Sequence, residues 1–179
     1  MKCLLCENIL LERTEIDDNL HAFTCKECGG IWIQAKAYWK WLKSLDHPLP
    51  EKPESETAKL TVEERPQMKI CIDCGHFLTR RKVGHGISFH IDRCQCCGGI
   101  WLDHNEWEIL KSRNLHDDIH FIFGQEWQED LQKEEREERY QQEVKSIIGD
   151  DVFAKVADFK DFLEKSPTKN IIMAYLQNA

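Results

Sequence analysis

The chain has 179 residues, 41% of them hydrophobic, and carries a formal net charge of −8 at pH 7. It has neither a long apolar run nor a signal-peptide pattern, so we expect a cytoplasmic protein with reduced thiols and no membrane association. Residues 1–115 are nearly neutral, with 16 Lys and Arg against 17 Asp and Glu, whereas residues 116–179 have 8 against 15. This balance argues against a strongly basic duplex-binding protein.

The dominant feature of the sequence is a pattern of paired cysteines that occurs twice. Each copy has two Cys-x-x-Cys units, separated by 18 residues in the first copy and 19 in the second, and closes on Cys-Gly-Gly-Ile-Trp. Pairs at this spacing indicate zinc, because four thiolates complete the tetrahedral shell of the ion. The predicted cofactor is two zinc ions. The predicted ligands are Cys3, Cys6, Cys25, Cys28, Cys71, Cys74, Cys94 and Cys97.

The first copy, residues 1–46, predicts a zinc ribbon made of a β-hairpin and a short helix. Its two strands are expected around residues 9–11 and 20–23, with a turn at Asp17-Asp18-Asn19. Residues 47–68 follow with four of the five prolines and mostly polar side chains. Such a composition disfavours a packed core and is typical of a linker.

The second copy, residues 69–115, predicts a second ribbon of the same kind. Its hairpin is expected to turn at Gly84-His85-Gly86, and Asp103 and Glu106 stand at capping-box separation before the helix. The two ribbons are either independent or packed together through their helices and Trp39 and Trp41, and the sequence leaves both arrangements open.

The remainder of the chain predicts helices. Residues 116–149 are read as a connector and a long charged helix over 125–148, ended by Gly149. Residues 150–179 predict a helical hairpin whose apolar content requires something to pack against. The fold class is therefore a small metal-bound α+β protein, with two tandem zinc ribbons followed by an all-α C-terminal extension.

The string Cys-Gly-Gly-Ile-Trp-Leu-Asp at residues 97–103, with Glu106 after it, resembles the zinc-ribbon family named after transcription factor IIB. The first copy departs from this signature, with Ile33-Gln34 in place of Leu-Asp and Glu7 where glycine often follows the second cysteine. The resemblance covers roughly residues 1–45 and 69–113. It implies a zinc-ribbon fold and zinc binding, and implies little about biochemical role.

Other uses of the cysteines are open alternatives. A rubredoxin-type iron site has a similar knuckle geometry, and Cys-x-x-Cys pairs also serve thiol–disulfide exchange. Four pairs in hairpin register favour a metal over exchange. The ninth cysteine, Cys96, is either a spare thiol or a residue whose oxidation ejects zinc.

A nucleic-acid interface is the second functional alternative. Arg80, Arg81 and Lys82 form the one basic cluster that stands out in the sequence, and Phe89 on the opposing strand is a candidate base-stacking side chain. A solvated hairpin strand explains the same residues.

We expect a non-enzymatic interaction module, because four protein thiolates leave no open coordination position on a zinc ion. The preferred function is a protein-binding adaptor or an assembly or regulatory factor. Its partner would bind the C-terminal helices or exposed tryptophans, and self-association is possible. A nucleic-acid-associated ribbon is the first alternative, and a thiol redox sensor or chaperone is the weaker one.

Overall fold

The computed structural model describes residues 1–178, and the chain divides into two compact units. The first unit is Met1–Leu131 and contains both cysteine copies; the second starts at Gln132 and is helical. Two four-cysteine clusters in a unit of sheet and helices, followed by a helical C-terminal part, confirm the fold class predicted from the sequence.

Strands from both copies form one antiparallel sheet in the first unit, with the order β1-β2-β3-β6-β5-β4. The strands are β1 (Glu12–Asp17), β2 (Leu20–Thr24), β3 (Ile31–Ile33), β4 (Leu78–Gly84), β5 (Ile87–Cys94) and β6 (Ile100–Leu102). The copies meet at β3 and β6, where Trp32 pairs with Trp101 and Ile31 pairs with Leu102. The two ribbons are therefore one packed body, which answers the question that the sequence left open.

Both hairpins turn where the sequence predicts, but the first strand begins later than expected. Residues 9–11 lie in the cysteine knuckle instead: the amide of Cys3 donates to the carbonyl of Ile9, and Leu10 forms an isolated bridge with Lys2. Because the knuckle uses these backbone groups, the hairpin ladder starts only at Glu12.

The helices are α1 (Ala35–Leu42), α2 (Glu106–Ser112), α3 (Ile119–Ile122), α4 (Gln125–Ile148), α5 (Asp150–Lys165) and α6 (Lys169–Gln177). In α1 and α2 the equivalent apolar positions of the repeat are buried, with Tyr38 and Trp41 matching Trp107 and Leu110. The ring centroids of Trp41 and Trp107 are 6.1 Å apart, so the two helices share one aromatic core.

Residues 47–68 differ from the linker that their composition suggests. Apart from a 3-10 turn at Glu54–Glu56 they are irregular, yet ribbon side chains hold their backbone. Arg113 donates to the carbonyl of Lys52 at 2.7 Å, and the Ala58 amide donates to Ser112 Oγ at 3.0 Å. A proline-rich segment cannot form a ladder of its own, so the ribbon satisfies its polar groups instead.

Residues 116–131 also belong to the ribbon unit rather than to a separate connector. Ile119 and Ile122 are fully buried, and Trp127 Nε1 donates to the carbonyl of Val83 at 2.8 Å. Leu131 lies over Gly84, where an added Cβ would come within 2.0 Å of its side chain. The start of α4 is thus anchored on the hairpin turn.

The second unit contains the rest of α4 together with α5 and α6, and α5 contacts α6. Within residues 1–178, no helix has both the length and the apolar composition that crossing a membrane requires.

Candidate metal centres

The first centre brings together the sulfurs of Cys3, Cys6, Cys25 and Cys28, all within 4.8 Å of one another. Two tight turns supply them. In one turn the amides of Leu5 and Cys6 each lie 3.4 Å from the Cys3 sulfur; in the other the Gly29 amide donates to the carbonyl of Cys25. The Cys3 and Cys28 sulfurs, from different turns, are 3.6 Å apart.

The second centre repeats this construction with Cys71, Cys74, Cys94 and Cys97, whose sulfurs also lie within 4.8 Å of one another. The amides of Gly75 and Gly98 donate to the carbonyls of Cys71 and Cys94, at 2.9 Å each. Two of the sulfur pairs that join the two turns, Cys71 with Cys97 and Cys74 with Cys94, are each 3.4 Å apart. The structure thus assembles the predicted ligands into the two predicted sets.

These distances fit a tetrahedral zinc ion. Zinc–sulfur bonds of about 2.3 Å place the sulfurs of a regular tetrahedron roughly 3.8 Å apart, slightly more than the 3.4–3.6 Å separations seen here. Burial raises the pKa of both Cys28 and Cys97 well above the usual range of a thiol. Four thiolates can converge in such a place only when a cation offsets their charge, which is the role of the metal.

The knuckle backbone also prepares one ligand of the second centre for binding. The backbone of His76 hydrogen-bonds the Cys74 sulfur and lowers the pKa of this thiol to about 6. A thiolate is the form that ligates zinc, so this turn favours the binding form near neutral pH.

A family model described as "Transcription factor zinc-finger" matches residues 70–113. Residues 70–113 are a zinc ribbon of the transcription factor IIB type. The match covers the second ribbon, while the first ribbon has the same fold through its repeated pentad, its hairpin and its four converging cysteines. The search of curated proteins and the search of solved structures found no match to the chain. The zinc-finger match and the two four-cysteine sites together identify the cofactor as two zinc ions.

A buried polar cluster beside the second zinc ribbon escaped the sequence analysis. The ammonium of Lys69 is fully buried and lies 2.6 Å from Asp92 and 3.5 Å from Asp103. Asp103 also accepts a hydrogen bond from Trp101 Nε1 at 2.7 Å, and its amide donates to Glu106 at 2.8 Å. The spacing of Asp103 and Glu106 was visible in the sequence. Lys69 and Asp92 gave no signal, because only the sheet brings them to this place.

Glu106 is the unusual member of this cluster. Its carboxyl is buried, and desolvation together with the charge of Asp103 raises its pKa well above the ordinary value for a glutamate. This shift favours the protonated carboxyl, which accepts the hydrogen bond from the Asp103 amide without placing a further negative charge beside Asp103.

The basic cluster proposed for nucleic acid is only partly available on this zinc ribbon. The Arg80 guanidinium is 2.7 Å from Glu64 and also donates to the carbonyl of Arg65 at 3.1 Å, so it is occupied within the protein. Arg81 is exposed and Lys82 is half-buried on β4. The expectation for Phe89 is corrected: its side chain is only 5% exposed and packs in the core, because the strand alternation turns it inward.

Most tryptophans of the two zinc ribbons are structural. Trp32, Trp101, Trp107 and Trp41 are buried, whereas Trp39 is 39% exposed next to His120. Of the tryptophans in residues 1–115, Trp39 is thus the one whose side chain is exposed.

Proposed function

We propose that the protein is a non-enzymatic adaptor, in which two zinc ribbons form a rigid platform and the C-terminal helices bind another protein. The observation that carries this proposal is the amount of apolar surface on α5 and α6. Exposed apolar side chains on these helices are Val152, Val156, Phe159, Phe162, Ile171, Met173, Tyr175 and Leu176. A concentration of exposed apolar side chains on two helices that contact each other is typical of an interaction site.

The arrangement of these side chains supports recognition by a protein. Phe159 and Phe162 lie with their ring centroids 6.2 Å apart on α5, while Ile171 and Tyr175 are one turn apart on α6 and 71% and 75% exposed. Aromatic and large aliphatic side chains at helical spacing are typical anchors for a hydrophobic groove. The absence of an open coordination position in a four-thiolate site supports a structural role for the zinc.

The decisive variant is the double substitution Ile171→Ser and Tyr175→Ser in the full chain. Both side chains are exposed, so the variant should remain folded and keep two zinc ions. The matched control is Tyr140→Ser with Ile147→Ser on α4, which are 62% and 75% exposed. We expect one protein from the native cell extract to bind the wild type and the control reproducibly. Its affinity for the α6 variant should be lower by about ten-fold or more.

Two outcomes of this experiment oppose the proposal. If light scattering finds a wild-type dimer that only the α6 variant disrupts, the C-terminal helices of two copies bind each other, and this result contradicts the adaptor role. Equal capture by the α6 variant and the control contradicts it directly.

Nucleic-acid association is the second candidate, favoured by the match of residues 70–113 to a transcription-factor zinc-finger family. Arg81 is the exposed basic side chain on which this candidate depends. A salt-dependent mobility shift with DNA or RNA that Arg81→Glu abolishes would support it. We rank it second because Arg80 is neutralised by Glu64 and Phe89 is buried.

A further inference from the structure

The rim of the second metal centre carries ligand groups that the first centre lacks. Donor atoms of Cys74, His76 and Cys96 all lie within 4.8 Å of one another. Cys74 belongs to the four-thiolate set, whereas His76 and Cys96 do not. All three residues are solvent-accessible, so this side of the centre is open to an incoming ion.

The two cysteine turns hold these groups in place. The carbonyl of His76 accepts the amide of Cys71 at 2.7 Å, and its ring Nδ1 lies 3.2 Å from the carbonyl of Cys74. Cys96 sits at the tip of the other turn, which is closed by the Cys94–Gly99 hydrogen bond. The imidazole and the extra thiol thus come from opposite turns and meet beside the Cys74 sulfur.

The first ribbon provides an internal comparison. Its Cys3 amide donates to the carbonyl of Ile9, and its Cys25 amide donates to that of Gly30, matching the two hydrogen bonds of the second ribbon. By this correspondence Ile9 stands where the second ribbon has His76, and Glu27 stands where it has Cys96. The cradle of two turns is common to both ribbons, and the added soft ligands are particular to the second.

We propose that Cys74, His76 and Cys96 bind a third zinc ion, with the Cys74 thiolate bridging it to the zinc of the second four-cysteine centre. Thiolate and imidazole are preferred zinc ligands, and a thiolate has lone pairs to spare for a second metal. Three protein ligands leave the fourth position to water. Because it is exposed and has fewer protein ligands, this site should bind more weakly than the two four-thiolate centres and exchange its ion more readily.

The test starts from the full chain loaded with two zinc ions. It is titrated with Zn²⁺ against a chromophoric chelator, and native mass spectrometry counts the bound ions. We expect a third equivalent in the wild type, at least about ten-fold weaker in Cys96→Ser and in His76→Gln. Both variants should keep two tightly bound ions. His47→Gln, which alters a histidine distant in sequence from the centres, is the control and should bind like the wild type.

A spectroscopic readout checks the bridge independently. In the cadmium-113 form, a shared Cys74 sulfur should produce scalar coupling between two resonances, absent from the centre formed by Cys3, Cys6, Cys25 and Cys28. A third equivalent of unchanged affinity in both variants would overturn the site. So would a wild type that stops at two ions, or a Cys96→Ser protein that loses one of the two tight ions.

Discussion

Trp32 and Trp101 are register partners across the β3–β6 pair, and each indole lies over a glycine of the opposite ribbon. A Cβ added at Gly30 would be 2.2 Å from Cζ2 of Trp101, and one added at Gly99 would be 2.3 Å from Cζ2 of Trp32. The second glycine of each Cys-Gly-Gly-Ile-Trp pentad therefore makes room for the tryptophan of the other pentad. Repetition of the pentad is what lets the two ribbons interlock.

This contact predicts that Gly99→Ala destabilises the ribbon unit. The added methyl group must displace a fully buried indole, and overpacking of this kind costs about 1–3 kcal/mol in the free energy of unfolding. Urea unfolding of the zinc-loaded protein measures the loss. Combining Gly99→Ala with Trp32→Phe should lower the free energy of unfolding by less than the sum of the two single changes, because the smaller ring leaves room for the added methyl group. Strict additivity would mean that the two residues do not compete for space.

Loss of one zinc ion should be felt in both ribbons, because they share a sheet and an aromatic core. Cys25→Ser is expected to reduce bound zinc from two ions to one and to unfold the first hairpin, since structural zinc supplies about 10–16 kcal/mol in isolated finger peptides. Elemental analysis measures the zinc, and hydrogen exchange should also show lost protection in β6. Cys97→Ser should do the reverse, with protection lost in β3. Full protection of the intact ribbon in either variant would indicate independent domains.

Removing the buried cation of the polar cluster should be costly. Lys69→Met leaves buried Asp103 without its ion-pair partner and Asp92 with only Arg80 at 3.8 Å, and breaking a buried pair typically destabilises a protein by about 3–5 kcal/mol. Chemical unfolding near pH 7 provides the measurement, with two zinc ions bound throughout. Lys26→Met, which breaks an exposed pair with Glu12, is the control and should change stability by less than about 0.5 kcal/mol. A Lys69→Met protein as stable as this control would refute the assigned charges.

The raised pKa of Glu106 makes a pH-dependent prediction. The native carboxyl keeps its proton above the pH at which the unfolded chain releases it, so its contribution to stability is complete below that pH and declines as pH rises. Glutamine mimics the protonated form and has no proton to lose. The stability of Glu106→Gln relative to wild type should therefore increase as pH rises above about 4.5, by about 1.4 kcal/mol for each pH unit until the native carboxyl also ionises.

The control for this measurement is Glu108→Gln, which changes an exposed residue of the same helix. Its difference from the wild type should stay small over the same range. A Glu106→Gln protein that becomes relatively less stable with rising pH would show that the native carboxyl is ionised.

The sequence alone predicted the eight metal ligands, both hairpin turns and helix α4. Ligand identity, hairpin turns and helix α4 depend on local spacing, on glycine in turns and on a helix-favouring charged run, all of which can be read within a few residues. Only the tertiary structure decided that the ribbons join through Trp32 and Trp101, that residues 47–68 lie against Arg113, and that Phe89 faces inward. These depend on which surfaces meet and which backbone groups remain to be satisfied, and such pairings join residues far apart in the chain.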